Sequence, residues 1–303
     1  MISNINKAII NIVPYLPISF IRVFSNKYIA GTSLESALKV IKKINNNNMS
    51  ATIDILGEHT KTINEANKIT NDYIDIYKGI NSNNLDCNIS LKPSHIGSDI
   101  SNNCYKKNLD RIHSQAIDNN NFLRLDMENT ILTDLTIESF LKQYKYQTNI
   151  GIAIQAYLYR SMKDLKKLTK NMNIRLCKGI YNESQKIAIK DPNKINENYI
   201  KLLKESFKKN LYIGIATHDV KLINTIIEII KEKKIDNNKF EFQILYGVPM
   251  GNTLKRLINN NFKVRVYIPF GDNWYDYSIR RLTENPNIVG YIIKNLFKKN
   301  FYK

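Results

Sequence analysis

The feature that most constrains this chain is a unit that recurs eight times from about residue 50. An Asn-containing break leads into a short apolar, β-branched run; a polar residue closes the run, and a longer helical stretch follows. The instances are "NNNNMSATIDILGE", "SNNLDCNISLKPS", "NNNFLRLDME", "TNIGIAIQAY", "NMNIRLCKGIY", "KNLYIGIATHD", "NNKFEFQILYG" and "NNNFKVRVYIPFG". Asn suits these breaks because it tolerates the left-handed backbone that ends a helix. The runs are short and largely apolar, which predicts parallel strands buried on both faces. Between them, apolar residues spaced three and four apart predict helices, as with Leu165, Leu168 and Met172, or Leu222, Ile226, Ile229 and Ile230.

Eight strand and helix alternations in 303 residues predict an α/β fold, a closed (β/α)8 TIM barrel, over an open doubly wound sheet. No G-x-G-x-x-G follows the first strand, which counts against a dinucleotide-binding sheet. The expected division is an N-terminal helical segment over 1–48 and a catalytic barrel over 49–303, with the last helix and a tail after about 275. Barrels of this kind place their chemistry at the C-terminal ends of the strands. Those ends carry Asp54 and Glu58, Lys92, Asp126 and Glu128, Gln155 and Tyr157, Arg175 and Lys178, Thr217 and His218, Gln243 and Tyr246, and Tyr267. The cations among them, with Arg280 and Arg281 in "YSIRRLTEN", point to an anionic ligand that carries phosphates.

The net charge of +18 raises a nucleic-acid or anionic-lipid partner as an alternative. The lysines are scattered instead of gathered into a stripe, and Lys, Asn and Ile are all over-used, as codons rich in A and T would give. Tandem pairs such as Lys166 and Lys167 fall near predicted helix ends, where cations suit the helix dipole. No nucleic acid is expected. Cys87, Cys104 and Cys177 lack metal-ligand spacing, so neither a zinc site nor a disulfide framework is expected, and a reducing compartment fits. His59, His95 and His113 share no metal-ligand spacing and are expected to be structural or solvent-facing. The apolar "KAIINIVPYLPISFIRVF" near the N-terminus is broken by Pro14 and Pro17 and closed by Arg22, so a short helix packed on the body is expected, not a span or a secretory signal.

Read in order, "LKPS", "LRLDME", "IQAYLYR", "IRLCKGIYNE", "ATHD", "FQILYG", "VRVYIPFG" and "YSIRRLTEN" resemble the motifs of the proline dehydrogenase family in its monofunctional, bacterial-type form. The resemblance extends back to "KYIAGTSLESALKVIKKI" and covers nearly the whole chain. It implies a distorted barrel whose last helix lies over the strand ends, FAD as cofactor, and oxidation of L-proline to 1-pyrroline-5-carboxylate by hydride transfer to flavin N5, the first step of proline catabolism.

The resemblance also implies roles. Arg280 and Arg281 would hold the substrate carboxylate, with Lys92 as a third cation; a planar guanidinium suits two parallel bonds to a carboxylate. Asp126 would neutralise and orient this cluster, while Leu176, Tyr181 and Tyr267 would line the substrate ring. Arg175 would sit at the reactive edge of the isoalloxazine, where a fixed cation stabilises the charge that arrives during transfer. Gln155, Thr217, His218 and Glu284, with Lys178 and the backbone of Leu125, Gly179 and Ile180, would meet FAD. Ile180 and Asn182 depart from the family's usual residues at their positions. No metal is expected.

Three further expectations follow from the resemblance. Electrons would pass to a membrane quinone, and the location would be cytoplasmic, with peripheral contact at the inner face of the membrane. Another cyclic amino acid, such as hydroxyproline, is the alternative substrate.

Overall fold

The computed structural model describes residues 18–284, with side chains in the last helix as far as Ile279. Two helices, α1 (Ile18–Tyr28) and α2 (Leu34–Asn45), precede the first strand. The barrel then runs β1 (Ser50–Ile55), α3 (Ile63–Ser82), β2 (Cys87–Leu91), α4 (Asn102–Asp118), β3 (Leu123–Leu125), α5 (Thr130–Tyr146), β4 (Ile150–Gln155) and α6 (Ser161–Lys166). It continues through β5 (Asn173–Cys177), α7 (Pro192–Lys208), β6 (Tyr212–Ala216), α8 (Val220–Glu232), β7 (Phe240–Leu245), α9 (Asn252–Asn259), β8 (Val264–Phe270) and α10 (Trp274–Glu284). All neighbours are parallel and β8 pairs with β1, closing an eight-stranded barrel.

The asparagine breaks do the work expected of them. Asn48, Asn84, Asn120, Asn171, Asn210 and Asn261 all have φ between 47° and 70° ahead of β1, β2, β3, β5, β6 and β8. Before β7 the left-handed residue is instead Lys234, with φ 49°. The helix expected over Leu165, Leu168 and Met172 stops at Lys166, although Leu168 and Met172 are buried all the same.

The strands are parallel and buried on both faces, as expected, but only one of the two faces is apolar. Side chains on or next to non-adjacent strands bond directly: Arg175 of β5 reaches Ser90 of β2 and Gln243 of β7, and Tyr267 of β8 reaches Asp126, the residue that follows β3. Such bonds are possible only across the interior, so this set of residues points inward. Because side chains alternate along a strand, the apolar partners Ile89, Leu125, Ile154, Leu176, Ile215, Phe242 and Val266 face the helices, where they form the main core. The lumen is thus a hydrogen-bonded polar column, and apolar packing lies between sheet and helices.

At the far end, Arg124 is fully buried and donates to the Ile152 and Asn173 carbonyls at 3.2 and 3.0 Å. A Cβ at Gly151 would lie 2.5 Å from its Nη1, so the glycine is what admits the guanidinium. At the mouth, α10 turns back over the strand ends. Its Tyr277 packs with Ile29 and Leu56, and Arg22 of α1 stacks over Trp274 at 5.6 Å.

Candidate active site

The strand ends enclose one cavity bordered by Asp54, Glu58, Lys92, Asp126, Met127, Ala153, Gln155, Arg175, Cys177, Ile180, Tyr181, Thr217, His218, Gln243, Tyr267 and Tyr277, among others. Its centre is Arg175, which is 7 % exposed. Nη1 donates to Asp126 Oδ1 at 2.5 Å and to Ser90 Oγ at 3.0 Å, and Nε donates to Gln243 Oε1 at 2.6 Å. Asp126 collects two further donors, Ser90 Oγ at 2.6 Å and the Tyr267 hydroxyl at 3.0 Å. The guanidinium also lies 5.0 Å from the Tyr267 ring centroid, a cation–π distance. Arg175 is therefore a buried cation held from several sides, which preorganises charge at the cavity wall.

Lys92 has a different partner. It donates to Asp54 Oδ2 at 2.6 Å, with only 12 % of its side chain exposed. Burial works to lower its pKa, but Asp54, Asp126 and Glu58 outweigh it and hold the ammonium above its usual range. Asp126 therefore anchors Arg175, while Asp54 serves Lys92. At the rim, Glu58, His59 and Glu128 bring ligand-type atoms within 4.8 Å of one another. Both Glu128 oxygens are already committed to Ser94, however, at 2.8 Å to its N–H and 2.5 Å to its hydroxyl. The thiol of Cys177 is pushed up to about 12 by burial, so it is no nucleophile at neutral pH.

Lys92, Asp126, Gln155, Arg175, Ile180, Tyr181, Thr217, His218 and Tyr267 are thus brought together at one cavity. Leu176 is a correction. It is fully buried among the apolar residues facing the helices, because it follows inward-facing Arg175 by one residue and the pleat turns it away. Leu125 faces the same way by the same rule. Lys178 pairs with Asp219, the N-cap of α8, at 2.8 Å, and lies outside the cavity wall. Gly179, at φ 112°, lies against Tyr157, whose ring a Cβ would meet at 2.0 Å. The side chains of Arg280, Arg281 and Glu284 lie outside the described residues. Ser90, and roles for Asp54, Gln243 and Tyr277, escaped the sequence reading; Ser90 was findable, since it precedes Lys92 by two residues and so shares its face.

Gln155 tests whether a planar cofactor fits. Its Nε2 donates to the Met127 carbonyl at 3.1 Å, while its buried Oε1 has no hydrogen-bond partner among the described residues. A buried acceptor without a partner is costly unless something fills the need. A flavin ring, with an N–H on its polar edge, suits this acceptor and the neighbouring Arg175.

Fold and site together define a barrel enzyme with a fixed cation beside a cavity at the strand ends. The family profile for proline dehydrogenase matches residues 37–292. Proline dehydrogenase 2 of Bacillus subtilis (strain 168) is 34% identical over 279 residues, covering 92% of this chain and 92% of its own. The proline dehydrogenase of Deinococcus radiodurans is 30% identical over 280 residues, covering 90% of each chain. Among solved structures, proline utilization A from Bdellovibrio bacteriovorus, inactivated by N-propargylglycine, superposes with a TM-score of 0.79 at 26% identity over 86% of this chain. This chain spans 32% of that much longer protein. The chain belongs to the proline dehydrogenase family and is an oxidoreductase of proline metabolism.

Proposed function

We propose that the chain oxidises L-proline to 1-pyrroline-5-carboxylate with FAD as its cofactor. The observation that carries this reading is the buried Arg175, fixed by Asp126, Ser90 and Gln243, in the same cavity wall as the unpartnered acceptor of Gln155. FAD, when bound, supplies the hydride acceptor.

In this reading Gln155, Arg175, Thr217 and His218 hold the flavin, together with Lys178, Glu284 and the backbone of Leu125, Gly179 and Ile180. Lys92, Arg280 and Arg281 take the substrate carboxylate. Charge neutralisation by Asp54 leaves Lys92 two further N–H donors for that purpose. Tyr181 and Tyr267 border the ring. The Tyr267 hydroxyl is tied to Asp126, so its aromatic face can pack against methylene groups without an unpaired polar atom there. Hydride leaves the ring carbon next to nitrogen while the nitrogen lone pair forms the C=N bond, so the amine must already be neutral.

The purified protein should be yellow, and anaerobic L-proline should bleach it. A colourless protein that FAD cannot reconstitute sinks the proposal, and a cyclic amino-acid panel in which hydroxyproline outruns proline reassigns the substrate. Changing Arg280 or Arg281 to Met should raise KM for proline at least tenfold with flavin retained; an unchanged KM removes the carboxylate clamp.

The same reading divides the chain into a helical segment over 1–48 and a catalytic barrel over 49–303. It also passes electrons to a membrane quinone from a cytoplasmic position, with the basic surface making peripheral contact. No helix among the described residues is long and apolar enough to cross a membrane. Salt-sensitive co-sedimentation with anionic vesicles supports that contact, and its absence at low salt removes it.

A further inference from the structure

We propose that Glu241, acting through the side-chain amide of Gln243, is a positioning residue that sets the orientation of Arg175. The proposal rests on the reading of Arg175 as the cation of the active site.

Glu241 and Gln243 stand two apart on β7 and both point into the barrel, where they are 4 % and 5 % exposed. Gln243 Nε2 donates to Glu241 Oε1 at 2.7 Å, and its Oε1 accepts from Arg175 Nε at 2.6 Å. An amide has a donor end and an acceptor end of nearly the same size, so its neighbours decide which way it faces. Here a carboxylate that only accepts lies on one side, and a guanidinium that only donates lies on the other. One orientation makes two hydrogen bonds. The flipped one sets oxygen against oxygen and N–H against N–H, losing both.

The relay needs Glu241 to face Gln243 with an accepting oxygen, and its surroundings keep the carboxyl ionised, so that it only accepts. Arg265 Nε donates to the same Oε1 at 2.7 Å, and the Tyr212 hydroxyl donates to Oε2 at 3.2 Å. Burial opposes the charge, but Arg265, Gln243 and Arg124 outweigh it and hold the carboxyl below its usual range. The space for this relay comes from Gly214 on β6, in register with Glu241, where a Cβ would come within 2.4 Å of Gln243 Nε2.

The consequence for the site is geometric. Asp126 and Ser90 grip one corner of the guanidinium, Nη1, about which the plane could pivot. The Gln243 bond to Nε fixes a second point, and with the covalent anchor at Cδ these three points set the plane that faces the cavity. Arg265, Glu241, Gln243, Arg175 and Asp126 thus form a continuous column from the barrel floor to its mouth.

Three variants test this. The double variant Glu241→Leu with Arg265→Met removes both charges of a buried pair, a change that proteins often tolerate, and leaves Gln243 free to flip. Gln243→Leu removes the acceptor itself. Glu241→Gln keeps an oxygen for Arg265 and Gln243 and should rescue.

The first readout needs no flavin: hydrogen exchange of the Arg175 Nε–H in 15N-arginine-labelled protein, assigned by its loss in Arg175→Lys. The second is kcat against KM for L-proline, with the flavin midpoint potential. In the double variant and in Gln243→Leu, exchange should quicken by about tenfold, as for one lost hydrogen bond to a charged group. For the same variants kcat should fall by about tenfold with KM little changed, and the potential should drop by about 30 mV, which is tenfold for a two-electron couple. Glu241→Gln should stay within about threefold, because the amide orientation survives.

A folded double variant with wild-type exchange, kcat and potential overturns the proposal, as does a Glu241→Gln variant that loses as much as the double. Should Gln243→Leu fail to fold, these two variants decide the matter. If the wild type holds no flavin, the exchange measurement still decides the relay, and the flavin reading fails separately.

Discussion

Acid should destabilise this protein through His95, and the size of the effect follows from where the ring sits. His95 lies in the 3-10 turn Pro93–Ile96 that follows β2, three residues after Lys92, and is 2 % exposed. Its ring meets Tyr73 edge-on at 6.2 Å, and Gly57 approaches so closely that a Cβ there would lie 2.3 Å from Nε2. Nδ1 is buried with no hydrogen-bond partner among the described residues. Burial first, and the Lys92 charge second, push the imidazole down to about 3. An unfolded chain takes up this proton near pH 6.5, whereas the folded state does so only near 3, so stability is present above 6.5 and is lost as pH falls below it. Linkage puts the loss between pH 7.5 and pH 5 at about 2 kcal/mol. Because pH 5 lies well above the folded value, nearly all of that comes from the unfolded chain.

The assay is urea unfolding by far-UV circular dichroism at the two pH values, for the wild type and for His95→Phe. Phe keeps an aromatic of similar shape beside Gly57 and Tyr73 and removes the titration. The wild type should lose about 2 kcal/mol more than the variant. Equal losses would mean that His95 takes up its proton in the folded state as readily as in the unfolded chain, and that burial does not hold the ring neutral.

Substitutions at two other positions probe the site. Gly57→Ala should cost about 2–4 kcal/mol by urea titration, since φ is 149° and the new methyl would meet the His95 ring; a loss under 1 kcal/mol would show that the ring moves aside easily. Asp126→Asn can keep its oxygen toward Ser90 and Arg175 and turn its amide to the Tyr267 hydroxyl, so it should cost about 1–3 kcal/mol, against about 3–5 kcal/mol for Asp126→Ala, which leaves Arg175 buried without its partner. Both should lower kcat for proline; equal stability losses for the two variants would show that Asp126 contributes no hydrogen-bond geometry.

What the chain determined locally is the punctuation and the order of its elements. Asn breaks, β-branched runs and helical spacing act within a few residues of one another, so eight strands, the barrel and the strand-end ring were legible directly. Even the pleat was available: "IRLC" puts Arg175 and Leu176 on opposite faces, and that parity, once applied, separates inward Ser90 and Lys92 from outward Ile89 and Leu91. Tertiary structure alone decided which polar residues meet. Ser90 and Arg175 are 85 positions apart, and Asp126 and Tyr267 are 141 apart. The reach of Gln243 across the lumen to Arg175, 68 positions away, likewise depends on closure of β8 onto β1. Closure sets the stagger of all eight strands, and with it the height at which each inward side chain enters the lumen; no local pattern carries that height.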